Sequence, residues 1–262
     1  MNHAFAIPVY GQPPHLADCI ESILNQSHRS SRIIMSTSTP SGFVEEIAAS
    51  FKIPFFINPR RADIATDWNF ALTTCDAEFV TLAHQDDLYD EHYVEMMGNA
   101  IVRHPDALMA FSDFREHSPD GPRPININIR IKRLLCARAF GRHDVLEVPD
   151  EKLRLLTLGN PVCCPSVMIN RKQLADFRFD ETMKTNLDWE AWSRMAQLRG
   201  KFVYVKQALV SKRVHPQSET SVTIANKIRE NEDRYMFEQF WPKPVAAAIL
   251  AFYKLGYLAN RI

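Results

Sequence analysis

The stretch Ala77-Glu78-Phe79-Val80-Thr81-Leu82-Ala83-His84-Gln85-Asp86-Asp87-Leu88-Tyr89 changes character in its middle. Residues 79–83 are apolar apart from Thr81, and four polar side chains follow at once. A short, partly β-branched run bounded by polar residues reads as a buried strand opening into a loop. Two neighbouring carboxylates at the mouth of such a strand repel each other. A hard divalent cation, which prefers carboxylate oxygens, would remove that cost. In open α/β sheets, ligands bind beyond the carboxyl ends of the strands. Asp86 and Asp87 are therefore read as holding a metal that neutralises a phosphate-bearing ligand. The plain alternative is a solvated turn, since Asp is common in loops.

Working outward, strands and helices alternate. Upstream, residues 4–9, 32–36 and 53–57 are short apolar runs. Between them, Leu16, Ile20, Ile23 and Leu24, then Phe43, Val44, Ile47 and Phe51, recur at helical spacing. Residues 65–75 read as a third helix, with Trp68, Ala71 and Leu72 on one side. Downstream, Tyr93, Met96, Met97, Ala100 and Ile101 form another helical set, followed by a strand at 108–112. This alternation predicts an α/β fold with a doubly wound, mostly parallel sheet and helices on both faces.

The regularity breaks at Asp113. Ile125, Ile127, Ile129 and Ile131 alternate with polar residues, which predicts a half-buried or edge strand. Residues 123–142 carry six basic side chains and no acid. Such a run is by default a solvated face; its sharper reading is a surface for phosphates of a polyprenyl acceptor or lipid headgroups. Short strands are expected at 166–169, 202–205 and 209–214, and a long polar helix at 220–241. The apolar segment 245–262 reads as a docked core or dimer helix ahead of an interfacial membrane helix. The expected domains are 1–215, catalytic, with 113–165 as a variable acceptor-side region, and 216–262, a C-terminal helical extension.

Composition narrows the partners. Lys plus Arg and Asp plus Glu are both 31 in 262 residues, so no bulk charge is available to grip nucleic acid. Five Cys without regular spacing suggest no disulfide framework, and a reducing cytosol is expected. The first ten residues lack a basic start and a long apolar core, so no signal peptide is expected. A cytoplasmic protein, with peripheral contact at the inner face of the membrane as an option, is the resulting expectation.

Three polar clusters sit at expected loop ends: Asp86-Asp87, Asp188-Trp189-Glu190-Ala191-Trp192, and Arg213-Val214-His215 with Ser218. Each has a bland reading: a solvated turn, a helix N-cap at Asp188, a loop histidine at His215. Taken together with Ala6-Ile7-Pro8-Val9-Tyr10 and Asp67-Trp68-Asn69-Phe70-Ala71-Leu72, their order along the chain resembles the family 2 glycosyltransferases of the GT-A fold. The resemblance implies an inverting enzyme that moves a sugar from a nucleotide-sugar, with a UDP-sugar as first choice, to a glycan or lipid-linked acceptor. It implies Mn²⁺ or Mg²⁺ bridging the diphosphate, held by Asp87 and completed by His215. Asp86 would bind ribose or metal, and Asp188 would be the general base. Pro8, Tyr10, Thr37 and Asn69 fall at positions that line the family's nucleotide site. Two departures stand out. Gln85 replaces the first Asp of the common Asp-x-Asp motif. The loop Ser36-Thr37-Ser38-Thr39-Pro40 lacks the acid that usually contacts the base. A non-catalytic member that binds a nucleotide-sugar or glycan is the alternative reading.

Overall fold

A computed structural model describes residues 1–60, 63–118, 121–214 and 228–254. Four strands form the parallel half of one sheet: β1 (His3–Val9), β2 (Arg32–Thr37), β3 (Phe55–Ile57) and β4 (Phe79–Leu82), in the order β3-β2-β1-β4. The helices α1 (Leu16–Leu24), α2 (Gly42–Ser50) and α3 (Ile64–Thr74) connect them. Local sequence explains their starts. Ser41 accepts the Val44 N–H at the head of α2, and Asp63 accepts the Ala65 N–H at the head of α3. Alternate residues of β1 feed two separate cores. Ala4 and Ala6 pack in one, and Phe5, Ile7 and Val9 in the other. Burial on both faces is why β1 reads as a continuous apolar run.

The second half of the sheet is mixed. The strand β9 (Val167–Asn170) lies antiparallel between β4 and β6 (Ala107–Ser118). Beside β6 runs β10 (Lys201–Arg213), parallel to it, and β5 (Leu88–Tyr89) closes that edge antiparallel to β10. Two short strands, β7 (Gly121–Pro122) and β8 (Val145–Leu146), pair with β6 and β10. The expected strands at 202–205 and 209–214 are thus one strand. It shifts register between Val205 and Ala208 and again between Ala208 and Val210. The irregularity broke the sequence pattern without ending the strand.

One expectation is overturned outright. Residues 125–132 do not form a strand; they enter the helix α5 (Ile127–Phe140). The Asn126 side chain accepts the Ile129 N–H and starts the helix. Of the four alternating isoleucines only Ile129 is buried; the other buried residues of α5 lie further on, at Leu135, Cys136 and Phe140. The period-two pattern was carried by exposed residues and had no strand partner to satisfy.

Five further α-helices are described: α4 (Tyr93–Arg103), α6 (Pro149–Leu156), α7 (Leu187–Ala196) and the C-terminal pair α8 (Ile228–Phe240) and α9 (Lys243–Tyr253). The C-terminal pair shares a core with α7: Phe237 meets Trp189 edge to face, ring centroids 5.1 Å apart. Tyr253 packs over Gly159, where an added Cβ would lie 2.8 Å from the ring at φ +131°, so only glycine suits that turn. His215, Ser218 and Thr220 lie outside the described residues.

Candidate active site

The polar turn after β4 is fixed from two sides. The Asp87 N–H donates to the His84 carbonyl at 3.2 Å, and the Cys19 thiol of α1 donates to the same carbonyl at 3.3 Å. Arg213, the last residue of β10, clamps the rest. Its backbone N–H donates to Asp87 Oδ1 at 2.8 Å, its Nε to the Asp86 carbonyl at 3.0 Å, and its Nη2 to Asp18 Oδ2 at 3.0 Å. Asp87 is buried, while Asp86 and Gln85 are half-buried. Asp87 Oδ2 and His84 Nε2 are buried polar atoms with no hydrogen-bond partner among the described residues. Burial, then the neighbouring Asp86 charge, pushes the Asp87 carboxyl above its usual range. Burial holds the His84 ring down at about 4, so it is neutral at pH 7 and its 3.9 Å approach to Asp87 is not an ion pair.

Beyond the carboxyl ends of β1 and β2 the polar groups are bonded to one another. The Tyr10 N–H donates to Gln85 Oε1 at 2.8 Å, so the glutamine latches the acidic turn to the end of β1. Tyr10 itself is 63 % exposed. Pro8 is half-buried beside Ser36 in the β1–β2 register. Thr37 Oγ1 accepts the Thr39 N–H at 3.0 Å, and Thr39 Oγ1 accepts the Gly11 N–H at 2.8 Å. Ser38 donates to Asp67 Oδ2 at 2.6 Å, and Asn58 donates to Asp67 Oδ1 at 2.8 Å. Asp67, from α3, thus places a carboxylate against the loop after β2, which has no acid of its own. Its signal was present in the sequence: an acid four residues before Ala71, on the helix face that packs inward. Asn69 is spent elsewhere. Its amide group donates to the Phe179 carbonyl at 3.0 Å and accepts the Phe179 N–H at 2.8 Å. It also lines a cleft of about 430 Å³ with Asn58, Arg60, Phe179 and Glu181.

Asp188 lies in the first turn of α7, half-buried. The helix cap position belongs to Asn186, whose side chain makes no capping bond. Instead Glu232 of α8 accepts the backbone N–H groups of Lys184, Thr185 and Asn186 at 2.6, 2.8 and 2.9 Å. The Asn186 side chain donates to Asp233 at 2.7 Å. Asp188 Oδ2 accepts from Asn160 at 2.8 Å, and Oδ1 accepts the Trp189 N–H at 2.8 Å. Burial raises the Asp188 carboxyl, and Lys132, Arg229 and Lys212 oppose that shift.

The segment 160–165 adjoins both acidic clusters: Asn160 donates to Asp188, and Tyr89, just after the Asp86-Asp87 turn, donates from its hydroxyl to the Pro165 carbonyl at 2.8 Å. Burial pushes the Cys163 thiol within it up to about 12 and raises Cys164 as well. Among the described residues, no group of three or more His, Cys, Asp or Glu is placed to hold a metal ion by itself. A cation there would need further ligands, such as diphosphate oxygens.

The Glycosyl transferase family 2 model matches residues 4–177. The chain belongs to glycosyl transferase family 2. The match ends before α7, so Asp188 and the C-terminal helices lie beyond it. A glycosyltransferase of Rickettsia typhi described as uncharacterised, RT0329, is 25 % identical over 235 residues, covering 86 % of this chain and 68 % of that protein. The minor teichoic acid biosynthesis protein GgaB of Bacillus subtilis is 23 % identical over 86 % of this chain. The chain spans about a quarter of GgaB's length (24 %). The fold matches S. aureus TarS 1-349 in complex with UDP-GlcNAc with a TM-score of 0.65 at 13 % identity, over 97 % of this chain and 71 % of that one. It also matches the mannosyltransferase PcManGT from Pyrobaculum calidifontis in complex with GDP-Man and Mn²⁺, with a TM-score of 0.66 at 13 % identity, over 99 % and 70 %. The enzyme is a glycosyltransferase of GT-A architecture.

Proposed function

We propose that this family 2 enzyme transfers a sugar from a nucleoside-diphospho-sugar to a hydroxyl of a glycan or lipid-linked acceptor, with inversion at the anomeric carbon. The observation that carries the reading is the segment 160–165, bonded to Asp188 through Asn160 and to Tyr89, just after Asp86-Asp87, through the Pro165 carbonyl. The donors named with TarS and PcManGT, UDP-GlcNAc and GDP-Man, support a nucleotide-sugar. GgaB, a teichoic acid biosynthesis protein, supports a cell-envelope polymer as the product class.

The residues present fit a divalent cation. Asp87 offers a buried carboxylate oxygen with no hydrogen-bond partner among the described residues, and Asp86 adds a second hard oxygen donor beside it. Asp86 and Asp87, with His215, would hold Mn²⁺ or Mg²⁺. When bound, the cation would supply charge neutralisation for the departing diphosphate. The chain's own groups do the rest. Arg213 keeps the acidic turn in place through two hydrogen bonds and ties it to Asp18 of α1 through a third. Thr37, Ser38 and Asp67 form the rim against which the base of the donor would sit, with Pro8 and Tyr10 alongside. Asp188, oriented by Asn160 and the Trp189 N–H, takes the proton of the acceptor hydroxyl as that oxygen attacks the anomeric carbon. Its raised proton affinity suits a base working near neutral pH.

Thermal unfolding with UDP, GDP and their sugars, with and without Mn²⁺, identifies the donor. Proton NMR of the transfer product then reads its anomeric configuration. Inversion is expected. A retained configuration would overturn the direct-displacement reading. Donor binding without any release of nucleoside diphosphate would leave a nucleotide-sugar-binding protein instead.

A further inference from the structure

The exposed face of α5 is unusual for a surface helix. Ile127, Arg130, Ile131, Leu134, Ala137 and Arg138 are all exposed, and they recur at the spacing of one helix face. Ile127 is 57 %, Ile131 45 % and Leu134 67 % exposed. Ile125, just before the helix, is 50 % exposed. An ordinary surface helix places its apolar stripe inward and charge outward. Here Ile129, Leu135, Cys136 and Phe140 already fill the inward side, so the outward apolar stripe is surplus to the core.

The charge on the stripe itself has one sign, while Arg123 beside it pairs with Glu116 at 3.6 Å. Arg130 and Arg138 lie on the face itself, Arg123 and Arg142 lie near its two ends, and residues 123–142 contain no acid. The chain as a whole is neutral, so the excess is local. Apolar side chains flanked by arginines match an anionic lipid surface: the apolar groups enter the acyl boundary while the guanidinium groups meet the headgroups. A protein partner of acidic composition would complement the arginines but not a contiguous stripe of Ile and Leu.

We infer that α5 is a membrane-docking element, which lays the face Ile127-Ile131-Leu134, with Arg130 and Arg138, onto an anionic bilayer. Among the described residues, no helix is long and apolar enough to cross a membrane. This goes beyond the proposed transfer reaction and needs no turnover to test.

The full chain is sedimented with vesicles of phosphatidylcholine alone and of phosphatidylcholine with phosphatidylglycerol. Binding is expected to the anionic vesicles and to weaken with salt. Each arginine near such a surface multiplies the partition by roughly fivefold, so Arg130→Glu with Arg138→Glu should reduce binding by about 25-fold or more. Ile131→Asp with Leu134→Asp should abolish it. Val102→Asp, on another helix and 72 % exposed, should leave it unchanged. The thermal shift with nucleoside diphosphate, retained in all variants, shows that they are folded. Absence of binding to anionic vesicles overturns the inference, as does equal binding by the Ile131/Leu134 variant. So does a dimer, seen by light scattering, that this variant dissolves, because the stripe would then belong to a second copy.

Discussion

At the rim built by β1, β2 and α3, polar side chains are bonded to one another: Thr37 to Thr39, Ser38 and Asn58 to Asp67, Tyr10 to Gln85. At a second rim, around the head of α7, the charges of Lys132, Arg229 and Lys212 oppose the rise that burial gives the Asp188 carboxyl. The first rim is preorganised by contacts within the parallel half of the sheet. The second is assembled from elements far apart in sequence, and Glu232 of α8 holds the helix that carries its carboxylate. A set of short, mutually satisfied hydrogen bonds suits a ligand that arrives in one form. Opposed charges around a half-buried carboxylate suit a group whose protonation changes during the reaction.

Exchanging the carboxylate of the second rim should separate the two most strongly. Asp188→Asn is expected to lower kcat by roughly 10²- to 10⁴-fold while donor affinity, read by calorimetry, stays within about twofold. Equal loss of both would make Asp188 a structural residue and erase the contrast. The same carboxylate sets the acid limb of the pH profile. It acts only when ionised, and burial raises its pKa, so the rate should fall as pH drops through that raised value. Lys132, Arg229 and Lys212 pull the pKa down, and therefore Lys132→Met should move the limb to higher pH. A limb that stays in place would remove Asp188 as the titrating group.

The first rim should respond in the opposite sense. Asp67→Ala strips the partner from Ser38 and Asn58 and should cost about 2–3 kcal/mol in thermal unfolding, the range for hydrogen bonds to a charged group. Nucleotide affinity should weaken with it, and kcat at saturating donor should change little. Full nucleotide affinity in a folded Asp67→Ala variant would detach this network from the donor. A smaller effect tests how the second rim is held. Glu232→Ala frees three backbone N–H groups before α7 and should cost about 1–2 kcal/mol, as for a lost helix cap. Its kcat should drop more than its donor affinity. A variant that loses stability alone would show that α8 supports the core and not the carboxylate.

Individual residues show what was legible and what was not. The buried strand β4 and the polar turn at 84–87 were read directly, because an apolar run that stops at two acids has few other solutions. The Ile125–Ile131 alternation misled, because period two describes a strand only if a neighbouring strand accepts it, and Asn126 starts a helix there instead. The two apparent strands at 202–205 and 209–214 are one, since a register shift interrupts the pattern but not the ladder. Asn69, expected at the nucleotide, is committed to Phe179, 110 residues away, a partner no local pattern announces. Asp67 was in plain view, but its reach to Ser38 across 29 residues depends on how α3 lies against β2.

By itself, then, the order of residues determined the α/β alternation, the two acidic side chains at the end of β4 and the family to which the chain belongs, because these rest on periodicity and on short spacings along one strand or helix. Only the folded molecule decided which acid bonds to the loop after β2, which surface of α5 is left outside the core, and that a C-terminal helix secures the head of α7. Those outcomes depend on contacts between segments dozens to more than a hundred residues apart. The free energy of such contacts comes from burial and hydrogen bonding in three dimensions, which spacing along the chain does not encode.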